Sequence, residues 1–394
     1  MIRRFINRYK GGMQPSPYTP GEITPEVFGR EQILEDIRRD LAFIIVEPRF
    51  VGRIQVFAGP RGVGKTSLLR AAQTDAAAKG FDTLWVTAGD GPLLASLVEA
   101  LEEVSSTWQG SLVDALRSLI STAKVEVAGI SVSGAAPRKG TEAGSQGRRL
   151  QRLLAAAGRA ARERSRGLVL FIDEIQSADA DGIKALAYAW QHMQSEQRDL
   201  PMAAYTAGLS HTQDVVTDAV SFAERFAYQH LHNLTRPQAA DALRSLAAAK
   251  GVRWSDDALE AALGFAGGYP YFMQVIGDET WRAAGFPGPG TVLEVPQVEA
   301  AGEGFNQMRQ TFFRARWKKA TPAEARMLRA MAAAGEPEGD APVKRSAIAE
   351  AMGRDSNDLS MARRSLLDKG LIDTSSHGYL EFTAPGFAEF VRGL

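Results

Sequence analysis

Arg53-Ile54-Gln55-Val56-Phe57-Ala58, followed without a break by Gly59-Pro60-Arg61-Gly62-Val63-Gly64-Lys65-Thr66 and then by Ser67-Leu68-Leu69-Arg70-Ala71-Ala72, decides the fold of this chain. The first six residues read as a strand, since Ile54, Val56 and Phe57 are β-prone. The last six favour a helix. Between them stands the complete pattern G-x-x-x-x-G-K-[S/T], in the strand-to-helix setting that its chemistry requires. The glycines let successive backbone N–H groups curl around phosphate oxygens, and the start of a helix adds the positive end of its dipole. Lys65 is then placed to reach the β- and γ-phosphates of a nucleotide. The Thr66 hydroxyl is placed to hold Mg2+, which prefers hard oxygen ligands. Gly59, Pro60, Arg61, Gly62, Val63, Gly64, Lys65 and Thr66, with Ser67 behind them, are therefore candidate nucleotide-binding residues.

Such a loop implies binding; hydrolysis also needs a metal anchor and a group that orients water. Leu168-Val169-Leu170-Phe171-Ile172-Asp173-Glu174 offers both. Its unbroken apolar run is the mark of a central parallel strand buried on both faces. Asp173, at the end of that strand, is the candidate metal ligand, and Glu174 the candidate general base. The plain alternative is that the acidic pair only caps a short helix at Ile175 to Ser177.

Gly59 to Thr66 and Leu168 to Glu174 resemble the Walker A and Walker B motifs of AAA+ and STAND ATPases, including those related to archaeal and origin-recognition ATPases. Val27-Phe28-Gly29-Arg30-Glu31 resembles the box that opens these domains and lines the adenine pocket, which adds Phe28, Gly29 and Arg30 to the candidates. Ala223-Glu224-Arg225-Phe226 resembles the segment that presents an arginine finger to a neighbouring subunit. Gly267-Gly268-Tyr269-Pro270 is similar to the GGxP helix start in the lid of STAND proteins, which implies a place for Pro270 beside the nucleotide. The resemblance runs from about Phe28 to the C-terminus, and the Walker pair carries it. It implies ATP and Mg2+ as cofactors, hydrolysis of ATP to ADP and phosphate with Lys65, Glu174 and Arg225 as catalytic residues, and a homo-oligomer. Two departures stand out. Origin-type ATPases usually carry a sensor 2 arginine near the lid motif, where this chain has Tyr269, Pro270 and Tyr271. At the end of the strand Met202 to Thr206, where sensor 1 belongs, there is no asparagine, and Thr206 is the candidate.

Thr83 to Thr87 reads as the next strand, and Pro92 to Val104, Leu112 to Thr122 and Gln151 to Arg164 read as helices. Alternation of this kind predicts an α/β fold: a three-layer P-loop NTPase core with a parallel sheet and the nucleotide at the carboxyl ends of its strands. Val125 to Val132 alternates with period two around Gly129. Residues 134 to 149, rich in Gly, Ser and basic side chains, read as a flexible insertion. Its Arg138, Lys139, Arg148 and Arg149 fit a solvated linker better than a nucleic-acid contact.

From Leu234 the pattern is helical: Arg236 to Lys250, Ser255 to Phe265 and Tyr269 to Ala284 form a lid, closed by a Gly/Pro cluster at Gly285 to Pro289. Thr321-Pro322-Ala323-Glu324 is a capping box with proline at the first helical position, opening a helix to Ala334. Helices at Lys344 to Met352 and Ser356 to Lys369 and a hairpin of Leu371 to Asp373 with Tyr379 to Phe382 complete a winged helix. Asn357, Ser360, Arg363 and Arg364, with His377 at the wing tip, are candidate contacts to double-stranded DNA. Acidic residues from Glu336 to Glu389 offset the basic ones, so a protein partner or an autoinhibitory contact weighs equally. The expected domains are residues 1–21 as an N-terminal extension, 22–233 as the ATPase core, 234–318 as lid and linker helix, and 319–394 as the winged helix.

Composition narrows the rest. With 394 residues, 45% hydrophobic and 23% charged, the chain should fold into more than one domain and stay soluble. A formal net charge of +0 removes any global electrostatic case for nucleic acid or membrane. The absence of cysteine excludes disulfides and thiolate zinc sites, and fits a reducing cytoplasm. No apolar run approaches the roughly 18 residues of a membrane span. Met1 to Gly12 is basic but lacks the apolar stretch of a secretion signal, and Met13 is an alternative start. The expected function is an ATP-hydrolysing switch whose nucleotide state repositions the winged helix and controls oligomerisation. Its rivals are a DNA-binding initiator or loader-like ATPase, and a signalling or defence STAND regulator with protein partners only.

Overall fold

Apolar strand segments alternate with helices from Glu31 to His230, and the helical pattern takes over beyond Leu234. The computed structural model describes residues 13–24, 26–133, 142–336, 339–376 and 378–394. They divide into two compact units: a first of Arg30–Gly59 with Lys65–Leu231, and a second of the described residues up to Gly29, Pro60–Gly64 and His232–Leu394.

The first unit runs α1 (Glu31–Val46), β1 (Ile54–Ala58), α2 (Lys65–Ala78), β2 (Asp82–Thr87), α3 (Leu93–Ser105), α4 (Ser111–Ser133), α5 (Glu142–Glu163), β3 (Leu168–Asp173), α6 (Ala180–Glu196), β4 (Met202–Gly208), α7 (Thr212–Ala219) and β5 (Phe226–His230). Its five strands form one parallel sheet in the order β2-β3-β4-β1-β5. β3 is buried along its whole length, as its apolar run requires. Alternate residues serve opposite faces. Leu168, Leu170 and Ile172 join a core built with α3 to α7. Phe171, on the other face, stands between Trp85 and Tyr205, with ring centroids 6.3 and 5.8 Å away. The register sets Thr206 beside both Val56 and Ile172. The carboxyl ends of β1, β4 and β3 therefore lie together, where open α/β sheets bind ligands.

Two sequence expectations fail in this unit. The period-two stretch Val125 to Val132 is not extended; it continues α4 to Ser133. Once the preceding turns are formed, each further residue adds a hydrogen bond, and a single glycine or β-branched residue costs only about 1 kcal/mol or less. Part of the insertion expected at 134–149 is helix as well. Residues 142–149 are the opening turns of α5, whose buried stripe of Leu150, Leu153, Leu154, Ala157, Ala160 and Ala161 anchors the helix. Arg148 is exposed on it, and Arg149 is half-buried. Arg138 and Lys139 lie outside the described residues.

The second unit contains α8 (Arg236–Ala248), β6 (Arg253–Trp254), α9 (Asp256–Ala266), α10 (Pro270–Ala283), β7 (Val292–Leu293), α11 (Val295–Trp317), α12 (Pro322–Ala334), β8 (Val343–Lys344), α13 (Arg345–Ala351), α14 (Ser360–Asp368), β9 (Ile372–Ser376), β10 (Tyr379–Phe382) and α15 (Phe387–Arg392). One core runs through it, from Leu243 and Trp281 through Phe305 and Phe313 to Leu328, Leu366 and Phe387. The segment read as a helical lid is not purely helical, because β6 pairs in parallel with β7. The C-terminal strands form an antiparallel sheet in the order β8-β10-β9. β8 and α15 were too short to stand out as periodic patterns.

Of the segment read as an N-terminal extension, residues 1–12 lie outside the described residues, and Tyr18 belongs to this core. Tyr18 is buried; its hydroxyl donates to the Leu243 carbonyl at 2.7 Å and accepts from Trp254 Nε1 at 2.9 Å. Burial pushes that hydroxyl well above the usual tyrosine range.

The capping box forms as expected: Thr321 Oγ1 accepts from the Glu324 backbone N–H at 3.4 Å, and Glu324 Oε2 accepts from the Thr321 N–H at 2.8 Å. Lys369 Nζ donates to the same carboxylate at 2.6 Å and ties α14 to α12. Thr321→Ala should therefore destabilise the fold by about 1 kcal/mol. Equilibrium denaturant unfolding would show a lower midpoint at unchanged slope, and an unchanged midpoint would refute the cap's contribution.

Candidate nucleotide-binding site

The loop Gly59 to Thr66 takes the shape its glycines permit. Gly62 and Gly64 have φ of 87° and 90°, in the left-handed region that a side chain disfavours. Gly59 needs its bare Cα for a different reason, since a methyl group there would strike the Leu231 carbonyl. The Gly59 N–H donates to Gly208 O at 3.2 Å, which ties the root of the loop to the end of β4. α2 starts at Lys65 and has no acidic residue in its first turn, so the positive end of its dipole is left for an anionic ligand.

Lys65 is buried, and its ammonium donates to the Gly59 carbonyl at 2.9 Å. Thr66 Oγ1 donates to Asp173 Oδ2 at 2.7 Å, joining residues 107 positions apart. Asp173 is itself buried, and its other oxygen accepts from the Glu174 N–H at 3.0 Å. Burial pushes its carboxyl above the ordinary range; the Thr66 hydroxyl pulls it back, and neighbouring Glu174 pushes it up again. This donor set fits Mg2+: a hydroxyl and a carboxylate, both hard oxygens, within one hydrogen bond of each other. Among the described residues no group of three or more His, Cys, Asp or Glu could hold a metal by itself. A magnesium ion here would complete its shell with phosphate and water oxygens.

Glu174 sits at φ 53° and ψ 38°, a left-handed conformation that costs a non-glycine residue of order 1–2 kcal/mol. Its side chain does not cap the 3-10 turn Ile175–Ser177 that follows. Instead Glu174 Oε2 accepts from Gln176 Nε2 at 2.6 Å, while Gln176 Oε1 accepts from the Leu209 N–H at 3.0 Å just past β4. Gln176 was not a sequence candidate, and nothing in the local pattern marks it.

Thr206, the candidate sensor 1, is fully buried within β4, and its hydroxyl donates to Gln55 O of β1 at 3.3 Å. Arg225 ends a 3-10 turn before β5 and donates through Nη1 to Gln194 Oε1 on α6 at 3.0 Å. Arg30 precedes α1 and is buried.

The second unit gathers the other candidates. Gly29 O accepts from Gln238 Nε2 at 3.5 Å, and a Cβ at Gly29 would meet Leu234 at 2.8 Å. Leu234 N–H in turn donates to Gly268 O at 2.9 Å. Phe28 packs on the same core, and Pro270 opens α10. The two glycines of the lid motif have φ of 57° and 71°, and a side chain at Gly268 would strike the Leu234 carbonyl. Tyr269, which stands where sequence comparison expects an arginine, is buried and donates its hydroxyl to Arg61 O at 2.6 Å.

Of the candidate DNA contacts, Asn357, Ser360 and Arg364 are exposed and Arg363 is half-buried. Arg364 pairs with Asp368 at 3.5 Å. Met361 in their midst is 87% exposed. His377 lies outside the described residues. No helix among the described residues is long and apolar enough to cross a membrane.

Comparison with known proteins finds a family model and solved structures that the chain resembles. Residues 26–204 match the family described as the AAA ATPase domain, and residues 310–391 match a domain of unknown function. No curated protein matches the chain. Among solved structures it is similar to the ORC2 protein of Aeropyrum pernix, solved as ADPNP-ADP complexes, at 15% identity over 97% of this chain and 96% of that one, with a TM-score of 0.62. A Walker-type ATPase of Pyrococcus abyssi is similar at 15% identity over 95% and 98% of the two chains, with a TM-score of 0.59. Residues 26–204 thus match an AAA ATPase domain, and the fold is similar to that of these two proteins.

Proposed function

We propose that this chain, built on an AAA ATPase domain at residues 26–204, binds ATP with Mg2+, hydrolyses it to ADP and phosphate, and uses the two nucleotide states as a switch. The observation that carries this reading is the 2.7 Å bond between Thr66 Oγ1 and Asp173 Oδ2, which brings the first turn of α2 and the end of β3 to one place. In this reading the backbone of Gly59 to Thr66 cradles the phosphates, with Ser67 in the same helical turn. Lys65 exchanges the neutral Gly59 carbonyl for phosphate oxygens, which gain a charge-assisted bond. Thr66 and Asp173 would hold Mg2+; when bound, the ion neutralises charge developing on the phosphoryl oxygens. Glu174 takes the proton of the attacking water, and Gln176 fixes the direction of its carboxylate. Phe28, Gly29 and Pro270 serve the base, and Arg225 acts on the site of a neighbouring copy.

The C-terminal order of helix, strand, helix, helix and hairpin supports a winged helix as the output element. The exposed Met361 and the Arg364–Asp368 pair favour a protein surface over a DNA groove as its partner. DNA-stimulated turnover with a steep salt dependence would reverse that preference and point to an initiator or loader-like role.

Glu174→Gln tests the hydrolytic reading, because it keeps shape and hydrogen bonding but removes the base. ATP should bind as to the parent chain while phosphate release slows by roughly 10² or more. Release near the parent rate would move the role to another residue.

A further inference from the structure

Arginines that sequence places beside a solvated linker stand instead on a helix. α5 carries Arg148, Arg149, Arg152, Arg159 and Arg162, and no lysine. With 3.6 residues per turn, Arg148, Arg152, Arg159 and Arg162 fall in one stripe about 80° wide and about 21 Å long. All four are exposed. The buried Leu150, Leu153, Leu154 and Ala157 occupy the opposite face.

Stability does not explain this stripe. Arg148 and Arg152 are four residues apart, Arg159 and Arg162 three, and like charges at those spacings weaken a helix. A face that serves solubility alone mixes both signs, whereas α5 has no acidic residue between Glu142 and Glu163 at its ends. Glu163 is engaged elsewhere: it accepts from Ser111 Oγ at 2.7 Å and from the Leu112 N–H at 3.2 Å. Arg162 pairs with Asp199, and Arg159 donates to the neutral Gln197 at 3.2 Å. Among the described residues Arg148, Arg152 and Arg159 form no ion pair with a carboxylate. In a chain of formal net charge +0, positive charge is thus gathered on one helix face.

α6 borders the stripe, and its Glu196 accepts from Gln151 Nε2 at 3.0 Å. A Cβ on Gly147 would lie 2.8 Å from the Cβ of Tyr188, so that ring stands beside the first arginine. Tyr188 is 37% exposed and packs edge-on against Phe222, with ring centroids 5.0 Å apart at 65°. Arginine suits phosphate, because its planar fork donates two parallel hydrogen bonds and its charge does not titrate. An exposed aromatic ring next to a line of such cations is how proteins hold a single strand: the phosphates meet the cations while an unpaired base stacks on the ring.

We propose that the exposed face of α5, with Tyr188 of α6, binds single-stranded nucleic acid. Arg148, Arg152 and Arg159 contact successive phosphates, and Tyr188 stacks on one base. The surface lies within the first unit and does not depend on the ATP-binding reading. A duplex keeps its bases stacked inside and an acidic peptide has none, so neither uses Tyr188.

The test is fluorescence anisotropy of the full-length chain, over a range of salt concentrations, with three labelled probes: an oligothymidylate of about 20 nucleotides, a duplex of the same length and a polyglutamate peptide. The oligothymidylate should bind most tightly. Each phosphate contact on a single strand contributes about 0.7 to the slope of log affinity against log salt. The triple variant Arg148→Gln, Arg152→Gln, Arg159→Gln should therefore lower that slope by about 2 and weaken binding about 100-fold at about 0.1 M salt, with a melting temperature near the parent's. Tyr188→Leu should weaken the oligothymidylate about 10-fold at unchanged slope and leave the duplex unaffected. Lys65→Ala should bind the oligothymidylate as the parent does, so the two readings fail separately. A parent chain that does not bind the oligothymidylate, or binds the duplex or the peptide as tightly, would overturn the proposal. So would parent affinity in the triple variant, or a loss that follows Arg364→Gln on α14 instead. If Tyr188→Leu does not fold, the triple variant decides.

Discussion

Lys65→Ala protein should bind no ATP at concentrations that saturate the parent chain, and its phosphate release should fall to background. Lys65 is buried, and in the structure its ammonium donates to a neutral carbonyl, that of Gly59 at 2.9 Å. A triphosphate offers several anionic acceptors to the same donor. Each hydrogen bond to a charged group contributes about 1.5–3 kcal/mol, so loss of two such bonds corresponds to roughly 10² to 10⁴ in affinity. The backbone amides that remain carry only partial charges and cannot balance the ligand. Titration of a fluorescent nucleotide checks the first expectation and a phosphate-release assay the second. Affinity equal to the parent's would remove the loop from the binding site. The variant should melt near the parent temperature, because alanine at the first position of α2 keeps helix propensity and removes a buried charge.

Arg225→Ala should leave ATP affinity unchanged and cut turnover by about 10³ or more, the range over which an arginine finger acts by stabilising charge on the transferred phosphoryl group. Within one chain the Arg225 guanidinium donates to Gln194 at 3.0 Å, and its Nε is buried with no partner, so the side chain is held but incompletely satisfied. Action on a neighbour gives two further signatures. Specific activity of the parent should rise with protein concentration as copies assemble. Mixing Arg225→Ala with Lys65→Ala protein should return part of the activity, because an intact Arg225 on the second variant can serve an intact loop on the first. Turnover that is independent of concentration, together with full activity in Arg225→Ala, would assign Arg225 to the Gln194 contact alone.

The nucleotide loop, the acidic strand end and the capping box at Thr321 were legible because each is a local code. Glycines at fixed spacing admit one backbone path, a continuous apolar run demands burial on both faces, and a capping box closes within a single turn. The strand read at Arg53 to Ala58 is found at Ile54–Ala58, and the helix read from Pro322 to Ala334 is found with those ends. Sequence periodicity failed where local preference is weak. Val125 to Val132 alternates like a strand, yet it extends a helix already nucleated at Ser111. The pairing of β6 with β7 joins two-residue segments that carry no pattern of their own.

What only the tertiary structure decided are contacts between residues far apart in the chain. Tyr269 and Arg61 are separated by 208 positions, and Arg316 and Gly370 by 54. In sequence Tyr269 was only a departure from an expected arginine, and Arg316 was one basic residue among many near the end of a long helix. Burial against Phe312 and a shared hydroxyl turn them into neighbours of the phosphate loop. Gln176 gains its meaning in the same way, by touching both Glu174 and the backbone beyond β4. Backbone conformation and amphipathic pattern are written in consecutive residues. The partners of a polar side chain depend on which surfaces the folded chain brings together, and a string of residues specifies those only through the whole fold.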